Sequence, residues 1–436
     1  MTLITRLNRR KPADIEDISL SLPVLSLTAL LIAILISCVS RINVGFLSIA
    51  FALIIGVVFG GMKVQEIVAG FPASLFLTLV GITLLFSQAR VNGTLEKLAY
   101  LSVKLARGNP GMIPIIFFAL ALILATIGIG NIAAMALLAP IALAVGEKAG
   151  VTAFLMAIML GNGANAGGLS PFAPIGIIAN DLMAKIGLIG FEWRNYFNTL
   201  IPQSFVAFAG YFALGGLKLF TSGGDSTAPA VEEGIEPFTT KQKLTLAVIA
   251  ALVASVVILR VDITLGAFIG AAVLTLARVA DEEAAVKVMP WGTILMVCGV
   301  TVLIALMGKT GGMELFTSLL AKFSTTRTVT AVIAFVTGVI SVYASSSGVV
   351  LPAFLPTVPG LVARLGGGDP LAIASSINVG AHLVDLSPLS TLGALVLANV
   401  PPSEDRAVLF NKLMIWGLSM CVVGAVVCFV FFGLLL

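Results

Sequence analysis

Apolar runs of bilayer-spanning length recur along the whole chain, separated by short polar turns. The first runs from Leu20 to Ser40, the second from Val44 to Gly61 and the third from Phe71 to Ser87, with turns at Arg41–Asn43 and Lys63–Glu66. Each approaches the roughly 20 residues that cross a hydrocarbon core. The pattern then changes. Over Ala89–Arg107, Leu95, Leu98, Leu101 and Leu105 recur at helical spacing, with Glu96, Lys97, Lys104 and Arg107 between them. That predicts an amphipathic helix lying in the interface. Pro110–Gly150 is apolar but too long for one crossing, and it is interrupted near its centre by Gly128, Gly130 and Asn131 and again by Pro140. Two half-length helices meeting at a polar tip, a re-entrant hairpin, describe it; a kinked helix plus a loop is the simpler alternative.

The next apolar segment contains Gly161–Asn180, GNGANAGGLSPFAPIGIIAN, with three Asn, five Gly and two Pro. Gly and Pro unwind the backbone, and the freed amide and carbonyl groups need partners that lipid cannot supply. Such a break survives at membrane depth only when buried in protein or lining a wet cavity. A further span covers Phe191–Lys218, with Trp193 and Tyr196 as expected interfacial anchors.

After a polar linker, residues 221–243, the pattern restarts. Spans are expected at Leu244–Leu259, Leu265–Leu276 and Val288–Leu306, then an amphipathic helix at Gly311–Phe323. A second broken hairpin follows at 329–366 with Ser345, Ser346 and Ser347 at its tip, then a second broken span at 372–399 and a last span at Val408–Leu436. A shift of 218 aligns Pro72 with Pro290, Gly81 with Gly299, Gly93 with Gly311, Glu96 with Glu314 and Lys104 with Lys322. A shift of 216 aligns Gly130-Asn131 with Ser346-Ser347 and Pro140 with Pro356, and a shift of 217 aligns Leu169-Ser170-Pro171 with Leu386-Ser387-Pro388. Apolar matches are cheap in such a sequence; matched Pro, Gly, Glu and Lys are not. The chain thus divides into a polar tail (residues 1–18), repeat one (19–220, hairpin about 110–150, broken span about 152–190), the linker, and repeat two (244–436). Each half makes five full crossings, an odd number, so the two halves are inverted in the membrane. Inverted repeats with broken helices at matching positions characterise secondary transporters, with the site near the midplane.

Composition agrees with this class. Of 436 residues, 59% are hydrophobic and 11% charged, too few charges to clothe a soluble protein of this length. The expected fold is an all-α polytopic membrane protein; the long apolar runs exclude a β-barrel. A net charge of +4 gives no ground for a nucleic-acid partner. Cys38, Cys298, Cys421 and Cys428 lie in apolar runs without metal-ligand spacing, as buried small hydrophobes do. The basic N-terminal cluster is separated from the first apolar run by acidic residues and Pro12, so it reads as a polar tail rather than a signal peptide. Lys and Arg divide nearly evenly between alternate loops, and the positive-inside rule assigns no orientation.

Four elements should converge: the hairpin tips at Gly128–Asn131 and Ser345–Gly348, and the breaks at Leu169–Pro174 and Leu386–Ser390. Helix N-termini there offer unpaired N–H groups to an anion, and unwound carbonyls offer oxygens to a small cation such as Na⁺. No Arg or Lys lies in any of the four. A carboxylate would be held by dipoles, hydroxyls, an amide and bound cations. A lone Ser in a membrane helix is more often structural, bonded to its own or a neighbouring helix; two Leu-Ser-Pro triplets at matching positions shift the balance towards function. Asn162, Asn165 and Asn378 read first as interhelical glue. His382 and Asp385 are one helical turn apart on a shared face, where the first half has Asn165 and Gly168. They either carry a coupling proton or pair with each other to fix the break.

The segments GIGNIAAMALLAPIALAV, GNGANAGGLSPFAP, ASSSGVVLPAFLPTVPG and GAHLVDLSPLSTLGA resemble the ion transporter superfamily, which includes the divalent-anion/sodium symporters; the first half is most similar to the MatC-type malonate and dicarboxylate carriers. The resemblance implies a Na⁺-coupled secondary transporter of a small dicarboxylate, malonate or a C4 acid, working by elevator-type alternating access as a homodimer among membrane lipids, with a bacterial inner membrane as its location. It implies that Asn131, Ser170, Pro171, Ser347, Ser387 and Pro388 contact substrate. It further implies one Na⁺ near Thr126, Gly130, Asn131 and the Leu169 carbonyl, and a second near Val342, Ser346, Ser347 and the Leu386 carbonyl. No other cofactor is expected. The symporters carry Ser-Asn-Thr at each tip; here the tips read Gly130-Asn131-Ile132 and Ser346-Ser347-Gly348. An H⁺-coupled transporter using His382 and Asp385 is one alternative, an intramembrane hydrolase pairing His382 with a serine another, and a channel a third.

Overall fold

The computed structural model describes residues 21–39, 42–103, 109–221 and 237–434. The polar tail, most of the linker, Arg41 and the end of the first amphipathic helix at 104–107 lie outside them. Among the described residues the chain is helical throughout, with no strand. Three apolar helices open it, α1 (Leu22–Val39), α2 (Val44–Phe59) and α3 (Ala73–Val91), of which α3 is long and apolar enough to cross a bilayer. An amphipathic helix α4 (Thr94–Val103) follows, and Ala89–Val91, expected to belong to it, instead completes α3. The hairpin is α5 (Met112–Ile129) and α6 (Asn131–Lys148). The broken span is α7 (Ala153–Gly168) and α8 (Pro174–Lys185), and α9 (Glu192–Ala213) closes this half. The second half runs α10 (Thr240–Leu259), α11 (Ile263–Leu276), α12 (Trp291–Thr310) and the amphipathic α13 (Gly312–Lys322). Its hairpin is α14 (Val329–Ser341) and α15 (Ser346–Leu365), its broken span α16 (Pro370–Leu383) and α17 (Thr391–Ala398), and its last helix α18 (Arg406–Leu434). Seven of these helices are long and apolar enough to cross a bilayer. With so many apolar helices the chain is a polytopic membrane protein.

The packing is reciprocal between the halves. α2 packs on α12 and α11 on α3; α5 packs on α7 and α14 on α16; α9 lies against α7 and α18 against α16. Large apolar side chains of the outer helices face outward, among them Ile258 and Leu259 on α10 and Ile415 on α18. In an aqueous protein such a surface would aggregate; in lipid it is the solvent-matched face. The broken helices are the opposite case: from Leu155 to Ser170, and from Leu371 to Ser387, the residues are buried without interruption.

Three expectations are corrected. The hairpin limbs are not half-length, since α5 and α6 have 18 residues each, about 27 Å at 1.5 Å per residue. Pro140 does not break the hairpin a second time, because α6 runs through it. One missing backbone bond is outweighed by burial of Leu137, Leu138, Ala142 and Leu143 around it. Tyr196 is not an interfacial anchor: it is buried and its hydroxyl meets the Thr126 hydroxyl at 2.9 Å, whereas Trp193 remains exposed.

Candidate functional site

At the first hairpin tip, Gly128 and Gly130 take φ of 122° and 80°, a region where a side chain would clash with the backbone. The two reversals end α5 and start α6 at Asn131, whose side-chain Oδ1 accepts the Ile132 N–H at 2.8 Å. At the second tip, Ser345 caps the new helix by accepting the Gly348 N–H at 3.0 Å. No left-handed residue lies there, because a serine N-cap in extended conformation makes the turn instead.

The two breaks share one construction. The Ser170 hydroxyl accepts the Phe172 N–H at 3.1 Å, and the Ser387 hydroxyl accepts the Leu389 N–H at 3.3 Å. Gly176 packs against the carbonyl of Ser170, and Gly393 against the carbonyl of Ser387, each so closely that a methyl group at either position would collide with backbone. Ser390 then caps α17, accepting from the Gly393 N–H at 3.3 Å and donating to the carbonyls of Ser387 and Asp385. The glycines before break one also admit neighbours: Gly168 abuts Asn131 of the hairpin tip, and Gly161 abuts the Leu386 side chain from the other half.

These pieces enclose two adjoining cavities. Cavity one, about 200 Å³, is lined by Asn131, Ile132, Ile175, Ser345–Ser347, Asp385, Ser390 and Thr391, and by Ile42 and Met296. Cavity two, about 270 Å³, is lined by Gly128–Ile132, Pro174, Ile175 and Ser347, and by Thr83, Phe86, Ser87 and Arg90 of α3. Asn131, Ile132, Ile175 and Ser347 line both. Either volume is below the roughly 300 Å³ at which drug-sized ligand sites begin. The cavities suit a solute of a few heavy atoms. Four helices begin at their walls: α6 at Asn131, α8 at Pro174, α15 at Ser346 and α17 at Thr391. Their first-turn N–H groups have no partner within the helix and carry partial positive charge.

The expected site residues separate into two groups. Gly130, Asn131, Ser346 and Ser347 line the cavities, as does Asp385. Thr126, Leu169, Ser170, Pro171, Val342, Leu386, Ser387 and Pro388 line neither. Ser170 and Ser387 are fully buried. The Ser170 hydroxyl donates to the Thr126 carbonyl at 2.5 Å, which ties break one to the base of the hairpin tip.

His382 and Asp385 do not pair with each other. α16 ends at Leu383, so the helical register that would place them together is lost between them. His382 Nδ1 donates to the Asn378 carbonyl at 2.7 Å, and its Nε2 is buried with no hydrogen-bond partner among the described residues. Asp385 instead faces cavity one and accepts the Ser346 hydroxyl at 2.5 Å. No serine hydroxyl bonds either ring nitrogen of His382 among the described residues, so the dyad of the hydrolase alternative is not formed.

Five asparagines link the elements on either side of His382, whereas buried Asn162 bonds to the Ile158 carbonyl of its own helix. Asn131 Nδ2 donates to Asn165 Oδ1 at 2.7 Å, and Asn165 Nδ2 to the His382 carbonyl at 2.9 Å. On the other side of His382, Asn378 Nδ2 donates to Asn195 Oδ1 at 2.7 Å, and Asn195 Nδ2 to Asn180 Oδ1 at 3.0 Å. Each of these side-chain NH₂ groups thus has a partner it would lack in lipid, while Asn378 Oδ1 is buried without one among the described residues. Asn165 and His382 are 217 positions apart, the shift that aligns the two breaks.

Arg90 is the residue that reading the sequence missed. It lies at the end of α3, some forty positions before the hairpin tip, where a basic residue reads as a helix C-terminal charge. Only the packing of α3 against the broken elements brings it to a cavity.

Comparison with known proteins agrees with this architecture. Residues 20–168 match the family described as the dicarboxylate carrier protein MatC N-terminus. No curated protein matches significantly. Among solved structures, the YdaH transporter of Alcanivorax borkumensis, described as having an unusual topology, is similar in fold. The match has a TM-score of 0.57 at 15% identity, covering 87% of this chain and 89% of that one. Both relatives are transport proteins rather than enzymes. The MatC match covers the first third of the chain, and the chain as a whole is a polytopic α-helical membrane protein.

Proposed function

We propose that the protein is a secondary active transporter that carries a small dicarboxylate, malonate or a C4 acid, together with Na⁺. The observation that carries this is the convergence of four helix N-termini on two cavities too small for a larger solute. Such ends favour an anion and need no fixed cation. Asn131 and Ser347, which line both cavities, are the proposed first contacts for a carboxylate.

Asp385 supports coupling to a cation. A carboxylate in an anion site repels the substrate unless its charge is balanced, and a bound Na⁺ does so. The cation would sit by Ser346, Ser347 and the carbonyls of Val342 and Leu386. A second Na⁺ would sit by Gly130, Asn131 and the carbonyls of Thr126 and Leu169, with Ser170 and Ser387 holding the breaks behind the site. The alternative is H⁺ coupling through Asp385, favoured by its short bond to Ser346. His382 faces neither cavity and has no direct part in that version.

The halves are proposed to be inverted repeats. Reciprocal packing, the shared construction of the breaks, and Asn165 touching His382 support this, because a residue near a twofold axis touches its own mate. An elevator motion of the hairpin-bearing elements, a homodimer and a bacterial inner membrane complete the reading. Counterflow of labelled malonate in proteoliposomes, competed with other carboxylates, tests the substrate class. Competition by malonate and C4 dicarboxylates is expected; counterflow indifferent to every dicarboxylate overturns the reading.

A further inference from the structure

Cavity two differs in character from cavity one. Most of its wall is apolar, from Phe86, Leu95, Leu137 and Val288 among others, and its charged group is Arg90. Arg90 is half-buried, and among the described residues it makes no ion pair. Its acidic neighbour is Glu96 of α4, close enough for the two charges to interact but not joined to it. Glu96 Oε2 is itself buried without a hydrogen-bond partner. The guanidinium therefore keeps its fork of N–H donors beside an apolar wall, where charge interactions are stronger than in water. Removing a charged group from water without a partner costs free energy, which a transient anionic ligand would offset.

We propose that Arg90 forms the subsite for the second carboxylate of the substrate. This rests on the dicarboxylate reading above. One carboxylate sits at the shared wall, on Asn131, Ser347 and the first-turn amides of α6 and α15. The other reaches into cavity two and meets Arg90 edge-on, where two parallel N–H···O bonds are available to a planar carboxylate. The apolar wall receives the methylene carbons between them. Arg90 is then the residue that separates dicarboxylates from monocarboxylates, since a monocarboxylate can use the shared wall alone.

The test is uptake of labelled malonate by proteoliposomes bearing wild-type protein, Arg90→Gln or Arg90→Lys. Hydrogen bonds to charged groups contribute about 1.5–3 kcal/mol, so Arg90→Gln should raise the malonate KM roughly 10- to 150-fold. The concentration of propionate that half-inhibits uptake should change less than about threefold by the same reasoning, and Arg90→Lys should recover part of the loss. A second measurement needs no variant. Phenylglyoxal modification of Arg90 in the wild-type protein, followed by peptide mass spectrometry, should slow in malonate and not in propionate. A malonate KM for Arg90→Gln within twofold of wild type, or equal weakening of propionate and malonate, overturns the proposal, as does modification of Arg90 that malonate leaves unchanged. If wild-type protein takes up propionate but no dicarboxylate, the dicarboxylate reading itself has failed, and the subsite with it.

Discussion

Replacing Asp385 with Asn isolates the charge in cavity one. The substitution keeps the side-chain shape and an oxygen that can still accept the Ser346 hydroxyl, now 2.5 Å away. What it removes is the negative charge. A cation coordinated by the Ser346 hydroxyl would lie about 4–5 Å from the carboxylate, and at an effective dielectric constant near 20 that attraction is about 3–4 kcal/mol. Screening by water in the cavity leaves about half, or roughly 2 kcal/mol, which is about a 30-fold change in affinity. In proteoliposomes, Asp385→Asn should raise the half-saturating Na⁺ concentration about 30-fold by this estimate. At saturating Na⁺ the maximal malonate rate should fall much less. An unchanged Na⁺ dependence in a folded variant refutes the reasoning. Loss of accumulation driven by a pH gradient, with Na⁺ irrelevant throughout, assigns Asp385 to protons.

Further outcomes follow from the geometry. Gly176→Ala and Gly393→Ala each drive a methyl group into the backbone of a break, within 2.7 Å of the Leu169 carbonyl carbon in the first case and 2.9 Å of the Leu386 oxygen in the second. No rotamer change relieves a backbone clash, so each should cost about 1–3 kcal/mol, lower the melting temperature in detergent and abolish or strongly reduce uptake; normal stability with normal uptake contradicts the close packing. Asn165→Ala leaves the Asn131 amide and the His382 carbonyl without their mutual partner, a loss of about 1–3 kcal/mol. It should lower both stability and uptake, whereas Tyr196→Phe, which removes one hydroxyl contact to Thr126, should reduce stability by no more than about 1.5 kcal/mol.

Much of the architecture could be read from the chain because lipid leaves few options for a backbone. Gly128, Gly130 and the two Leu-Ser-Pro triplets interrupt apolar runs, and a helix interrupted in a bilayer must be buried against protein. The amphipathic helices showed themselves by spacing alone. What escaped depends on side-chain direction and on neighbours distant in sequence. Ser170 and Ser387 were expected at a cavity, but their hydroxyls turn back to cap their own breaks. His382 and Asp385 share a face only while α16 continues, and it ends between them. Tyr196 has the residue type of an interfacial anchor, but the hydroxyl of Thr126 holds it inside. Arg90 carried no local signal, because its role comes from which helices pack beside α3.

The central proposal is that a carboxylate is coupled to Na⁺ across these cavities. Uptake of labelled malonate into proteoliposomes, with the Na⁺ and pH gradients imposed separately, tests it most directly. Concentrative uptake should follow an inward Na⁺ gradient at equal pH on both sides and cease when the gradient is collapsed. Uptake indifferent to Na⁺ but driven by a pH gradient would contradict it.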